Sequence, residues 1–299
     1  MTQRGRGAAE MTVAMVISGS IGWFVIMSEQ PVLDVVFWRC VFGTATLAMI
    51  CAARGLLRRD AMSRRQIILA AAGGAAVVLN WLLLFGAYSR SSISIATTVY
   101  NTQPFMLVGL GLLLFGERLT AIKVIWLVVA FCGVLLLVQV TPDSGPAGSN
   151  YLQGIVMALG AAFLYAVAAI IAKKLTGVTP MLIVLVQVSV GTLMLAPMAY
   201  RGTLPAGAAS WGPLFTLGVI HTGLMFTLLY GAIQKLPTHL TGALSFIYPM
   251  VAILVDVIAF GHTLQPLQIL GGAAILLAAA GTTLGWSPLG RHLKGEAKA

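Results

Sequence analysis

The chain has 299 residues, 59% of them apolar and only 9% charged, with a formal net charge of +10. A soluble domain of this size cannot hide that much apolar surface from water, so the solvent for most of the chain is lipid. The basic residues sit in short gaps between apolar runs, which records orientation across a bilayer and is not a nucleic-acid signal.

About 20 apolar residues cross a bilayer as a helix. Runs of that kind fall at 11–27, 34–53, 66–87, 93–115, 121–139, 151–172, 180–199, 212–235, 240–260 and 267–286, ten in all. Their length and all-round apolarity predict helices, not the alternating strands of a barrel. The first run follows Arg4 and Arg6 and leads at once to others, so it reads as an uncleaved helix, not a signal peptide. With the N-terminus placed in the cytoplasm, about 15 of the 18 Lys and Arg fall on that side. Only Arg39, Arg90 and Arg201 lie toward the other face. The expectation is a multi-pass membrane protein with both termini cytoplasmic.

Between the fifth and sixth runs stands TPDSGPAGSN, where Pro142, Gly145 and Pro146 forbid a continuous helix. It marks residues 141–150 as a non-cytoplasmic linker between units 1–140 and 151–299. The two units resemble each other. Thr97 to Leu119 and Gly242 to Leu264 align at an offset of 145, with Pro249 under Pro104 and Phe260-Gly261 under Phe115-Gly116. The same offset sets Leu228-Leu229 under Leu83-Leu84 and Gly231-Ala232 under Gly86-Ala87. A weaker echo pairs RCVFGTATLA, from Arg39, with QVSVGTLMLA, from Gln187. A duplicated unit with five spans enters the membrane from opposite sides in its two copies. The predicted fold is therefore an all-α polytopic membrane protein: ten transmembrane helices as two inverted five-helix repeats around a central cavity.

A transport site needs a few polar groups near mid-membrane in an enclosed space. The candidate substrate-binding residues are Asn80 and Trp81; Tyr100, Asn101 and Gln103, just before Pro104; Tyr165; His221; and Phe246 and Tyr248, just before Pro249. The amides and phenols offer neutral donors and acceptors, and the rings offer surfaces for an aromatic side chain. Pro104 and Pro249 are read as helix kinks that expose carbonyls one turn earlier, near Tyr100 and Ser245. His221 is read as neutral and hydrogen-bonded. Arg39 and Asp256 are read as an outer ion pair that moves with a gate, or else as a structural tether. No fixed charge stands among the binding candidates, so a net-neutral substrate is expected. Glu117 with Arg118 closes a cytoplasmic turn.

Cys40, Cys51 and Cys132 are odd in number and lie within apolar runs, so no disulfide, metal or other cofactor is expected. No paired aspartates, serine-histidine dyad or zinc ligands stand at mid-span, which argues against an intramembrane enzyme. No mid-span carboxylate marks ion coupling. A channel and a broad drug or metabolite exporter remain alternatives to a selective carrier.

The string LLLFGERLTAIKVIWLVVAFCGVLLLV, with its Gly116-Glu117-Arg118-Leu119-Thr120 turn, and Arg39 in the second span resemble the EamA branch of the drug/metabolite transporter superfamily. The resemblance covers essentially the whole chain. It departs in the second half, where His262 replaces the turn glutamate and Gln187 the arginine. Within the branch the chain looks most like exporters of aromatic amino acids. The resemblance implies export of amino acids and related metabolites from the bacterial cytoplasm through a cavity between the halves. The partners so implied are a small molecule and the lipid bilayer, with no nucleic acid and no required oligomer.

Overall fold

Long apolar stretches with no water to satisfy their backbone must close their hydrogen bonds internally, and the chain does so as helix after helix. In a computed structural model, residues 2–58, 60–88, 90–91, 96, 99–117, 119–138, 149–199, 207–260, 265–284 and 286 are described. Among them every regular element is helical. These are α1 (Gln3–Gly19), α2 (Ile21–Met27), α3 (Val32–Ala53), α4 (Arg64–Tyr88), α5 (Gln103–Phe115), α6 (Ala121–Val138), α7 (Ser149–Lys174) and α8 (Pro180–Ala199). Then come α9 (Ala208–Gly218), a π-helical segment (Val219–Leu224), α10 (Met225–Lys235), α11 (Thr238–Ser245), α12 (Ile247–Phe260) and α13 (Pro266–Leu284).

Among the described residues, seven stretches are long and apolar enough to cross a membrane: Gln3–Met27, Val32–Ala53, Arg64–Ala87, Tyr151–Lys174, Pro180–Ala199, Ala209–Lys235 and Thr238–Ala259. Three further apolar helices, Gln103–Phe115, Ala121–Leu136 and Ile269–Thr282, are shorter. The chain is thus a polytopic helical membrane protein. The fourth expected span, 93–115, runs as α5 from Gln103, and half of its residues 93–102 lie outside the described residues. The first helix starts earlier than its apolar run. The Thr2 hydroxyl accepts from the Gly5 amide at 3.1 Å, and Arg6 pairs with Glu10 one turn on. The linker 141–148, Arg118, Arg201 and His262 lie outside the described residues, as does the Asp256 side chain.

The helices pack across the halves. α4 lies along α7 as α1 lies along α10; α4 crosses α8 as α3 crosses α9; α5 meets α7 as α12 meets α1. The pairs α3 with α8, α6 with α13 and α5 with α11 each map onto themselves when the halves are exchanged, while α6 also meets α11 and α12. Lipid gives no hydrophobic drive for helix association, so close contact between small residues takes its place. A Cβ on Gly43 would stand 3.0 Å from Thr222 Cγ2, and one on Gly218 would stand 3.2 Å from the Arg39 carbonyl. Those two glycines bring α3 hard against the π segment. Leu113 and Ile258 leave 82% and 83% of their surface uncovered, in keeping with a lipid-facing exterior.

Candidate functional site

Several spans break near mid-length, and the breaks cluster. α1 ends and α2 begins at Ser20, whose hydroxyl donates to the Ile17 carbonyl at 2.9 Å and meets His221 Nε2 at 2.8 Å. The α9–α10 rod is wound wider at the π segment, a form that recurs at functional sites. There Thr222 Oγ1 donates back to the Leu217 carbonyl at 2.9 Å. The helix also breaks at Phe246, between α11 and α12, and at Thr102, before α5. Asn101 and Phe246 stand at the repeat offset of 145, so the two breaks are repeat-related. Pro104 and Pro249 therefore do not kink continuous helices, as the sequence suggested. Each stands in the first turn of a new helix, where a missing amide hydrogen costs nothing.

Irregular backbone at membrane depth is tolerated where it lines a cavity. A cavity of about 420 Å³ lies here, walled by α1, α2, α3, α4, α5, α7, α10 and α12 together with Tyr100. Its polar wall includes Arg39, Tyr100, Gln103, Tyr165 and Tyr248. Its aromatic wall adds Trp23, Trp81, Phe85 and Phe226. It runs to Ile26, Val32 and Val255, toward the end of the bundle where α2 stops.

Arg39 overturns the expectation of an uncharged pocket. It is 2% exposed, and its guanidinium carbon lies 4.1 Å from the Trp81 ring centroid and 5.9 Å from that of Phe226. Nε donates to Thr222 Oγ1 at 2.7 Å and Nη2 to the His221 carbonyl at 3.0 Å. The π turn presents that carbonyl, and the glycine crossing brings α3 close enough to reach it. Among the described residues no carboxylate pairs with Arg39; the ion pairs there are Arg6–Glu10, Lys173–Glu117 and Lys235–Glu10.

Of the residues singled out in the sequence, Trp81, Tyr100, Gln103, Tyr165, Tyr248 and Arg39 share the cavity wall. Asn80 does not line it. Its amide donates to the Tyr100 hydroxyl at 3.3 Å and to the Ala161 carbonyl at 2.6 Å, so it steadies Tyr100 from behind. His221 is buried off the cavity, with its ring 5.0 Å from Phe24. Phe246 packs 6.2 Å from Phe105, and Asn101 is buried at the break before α5. Gln103 is 4% exposed, and its Oε1 has no hydrogen-bond partner among the described residues. Phe85 and Phe226 were passed over. The repeat offset of 145 sets Phe226 under Trp81, a signal that finds it.

The opposite end of the bundle is sealed by charge. Gly116, left-handed with φ 61°, ends α5 and turns the chain so that Glu117 reaches into the other half. There it accepts from Lys173 Nζ at 2.7 Å and from the Thr238 amide at 2.9 Å. Burial raises the Glu117 carboxyl, but the hydrogen bonds from Lys173 and Thr238, with the ammonium charge, outweigh it and hold the group below the ordinary glutamate range. Lys235 bonds Glu10 in the same way across the halves.

The sequence pattern of the EamA-like transporter family matches residues 7–139 and again residues 152–284. An uncharacterized transporter of Bacillus subtilis, YxxF, is 30% identical over 94% of this chain and 90% of its own length. An uncharacterized transporter of Archaeoglobus fulgidus is 24% identical over 94% and 96%. The Escherichia coli threonine/homoserine exporter RhtA is 29% identical over 58% of this chain and 59% of its own length. A solved crystal structure superposes with a TM-score of 0.85 at 18% identity, over 96% of this chain and 98% of that one, and so has the same fold. None of these names points to aromatic substrates.

Proposed function

We propose that this chain, which belongs to the EamA-like transporter family, exports amino acids and related metabolites by alternating access through the cavity between its halves. It is a membrane transporter and not an enzyme. The observation that carries the mechanism is a cavity of about 420 Å³ placed where repeat-related helices break, with ringed walls and a few hydrogen-bonding groups.

On this reading the chain is two inverted five-helix repeats, 1–140 and 151–299, joined by a linker on the far side of the membrane. The twofold match of the family pattern and the exchange symmetry of the helix contacts support it. The bias of basic residues assigns the end bearing Lys173 and Lys235 to the cytoplasm of a bacterial inner membrane, together with both termini. The ion pairs then close the cytoplasmic side, and the cavity faces outward, the state from which substrate is released. Opening the other way requires the halves to rock apart at those pairs.

An amino acid fits the cavity's mixed lining, and RhtA's name supports that class. The rings of Trp23, Trp81, Phe85 and Phe226 support a preference for aromatic and other neutral side chains. The test is counterflow in liposomes with the purified protein, labelled phenylalanine or threonine inside, and a panel of unlabelled amino acids outside. Saturable exchange is expected. Substituting Gln103 or Tyr248 by alanine is expected to impair it while the protein stays folded. Non-saturable flux, or exchange of a lipophilic cation but no amino acid, defeats the proposal.

A further inference from the structure

We infer that the cavity is a receptor for one zwitterion, in which Arg39 takes a substrate carboxylate and Gln103 Oε1 takes the neighbouring ammonium. This deepens the transport reading and rests on it.

A guanidinium carries five N–H donors. In Arg39, Nε and one Nη2 hydrogen are used, and no partner is found among the described residues for the rest. A charge at this depth with no counter-ion among the described residues is costly, and an intramembrane charge of that kind marks a functional site by default. The two bonds and the face of Trp81 hold the planar group fixed at the cavity wall, preorganised for the two oxygens of a carboxylate. A buried acceptor without a donor is costly too, and Gln103 supplies one on the same cavity wall. An orphan donor set and an orphan acceptor in one enclosed space are complementary to an α-amino acid. A carboxylate brings the missing anion, and an ammonium brings the missing donor.

The charge count narrows the class. At the position that the repeat pairs with Arg39 stands Gln187, whose Oε1 accepts from the Tyr230 hydroxyl at 2.6 Å and which does not line the cavity. Arg39 is thus the one cation among the described lining residues. One carboxylate is matched. A second carboxylate or a phosphate dianion is left with charge unpaired in a low dielectric, and an amine without a carboxylate leaves the guanidinium unpaired.

The test is a tryptophan-fluorescence titration of the purified full-length protein, because Trp81 and Trp23 line the cavity. The probes are phenylalanine, its methyl ester, phenethylamine and 3-phenylpropionate. Phenylalanine is expected to bind at least about tenfold more tightly than each analogue lacking one charged group. This series uses the native chain, so it does not depend on a variant folding. Gln103→Leu is expected to weaken phenylalanine and leave 3-phenylpropionate unchanged. Arg39→Gln is expected to bring phenylalanine and its ester to similar affinity. If the ester or phenethylamine binds the native protein as tightly as phenylalanine, the zwitterion receptor is overturned while the transport reading stands. If no amino acid binds and none exchanges in counterflow, both fall.

Discussion

The two ends of the bundle handle positive charge in opposite ways. At the end assigned to the cytoplasm, Lys173 and Lys235 reach between the halves and each meets a carboxylate. In the cavity, Arg39 is more deeply buried than either and meets none among the described residues. On the proposed reading, the difference separates two jobs. Where the protein must hold itself shut, it supplies both partners. Where something must come and go, it supplies one and leaves the other to the visitor.

The sharpest way to break that comparison is Arg39→Gln. Exchange of amino acids is expected to fall on the order of a hundredfold, since the partner of a buried charge pair is lost. The melting temperature is expected to hold or rise, because the cation removed has no counter-ion among the described residues. Counterflow and a thermal melt of the same preparation check the two halves of this statement.

Lys173→Met tests the other end. It strands Glu117 in a half-buried place, and about 1–2 kcal/mol of stability is expected to go. The cytoplasmic closure is expected to loosen with it. Labelling of cysteines introduced beside Thr238 by a membrane-impermeant thiol reagent, applied from the cytoplasmic side of inverted vesicles, reads that loosening.

Acid gives a gentler version of the same test. The Glu117 carboxyl has a folded pKa below its unfolded one. Its stabilising contribution is therefore complete above the unfolded value, near about 4.3. It is lost as the pH falls through the lower folded value. The native protein is expected to lose melting temperature over that acid window more steeply than Glu117→Gln, and parallel melts across it decide the matter.

The smallest effect is expected at Asn80→Ala. The side chain touches the cavity only through Tyr100, so a few-fold loss of substrate affinity with little change in maximal exchange is expected. Concentration dependence of counterflow separates the two.

How much of this was legible in the sequence follows from physical range. Apolar length is a local property, so the long apolar helices show in the letters, as do the irregularities near Pro104 and Pro249, although those were read as kinks. Polar or ring-bearing residues inside an apolar run are conspicuous, which is how Trp81, Tyr100, Gln103, Tyr165 and Tyr248 were picked out. Phe85 and Phe226 were not, because a phenylalanine that faces a cavity is spelled like one that faces lipid. Arg39 was read as half of an outer ion pair, gate or tether, because direction around a helix was missing. What turns it inward is a carbonyl and a hydroxyl in the π segment, more than 180 residues away. Glu117 was read as part of a structural turn, but its partners among the described residues, Lys173 and Thr238, were not legible because they lie 56 and 121 residues away.

The widened turn at Val219–Leu224 has an effect beyond the carbonyl it presents. A π turn holds about one residue more than an α turn, and one residue is about 100° of rotation. All of Met225–Lys235 is therefore swung round from the face that an evenly wound rod would show. Phe226 and Leu229 owe their place in the wall to that swing. Even winding would take them from the wall and bring other side chains of α10 round in their stead, so the inventory of this chamber is set by the pitch of one turn as well as by the residues themselves.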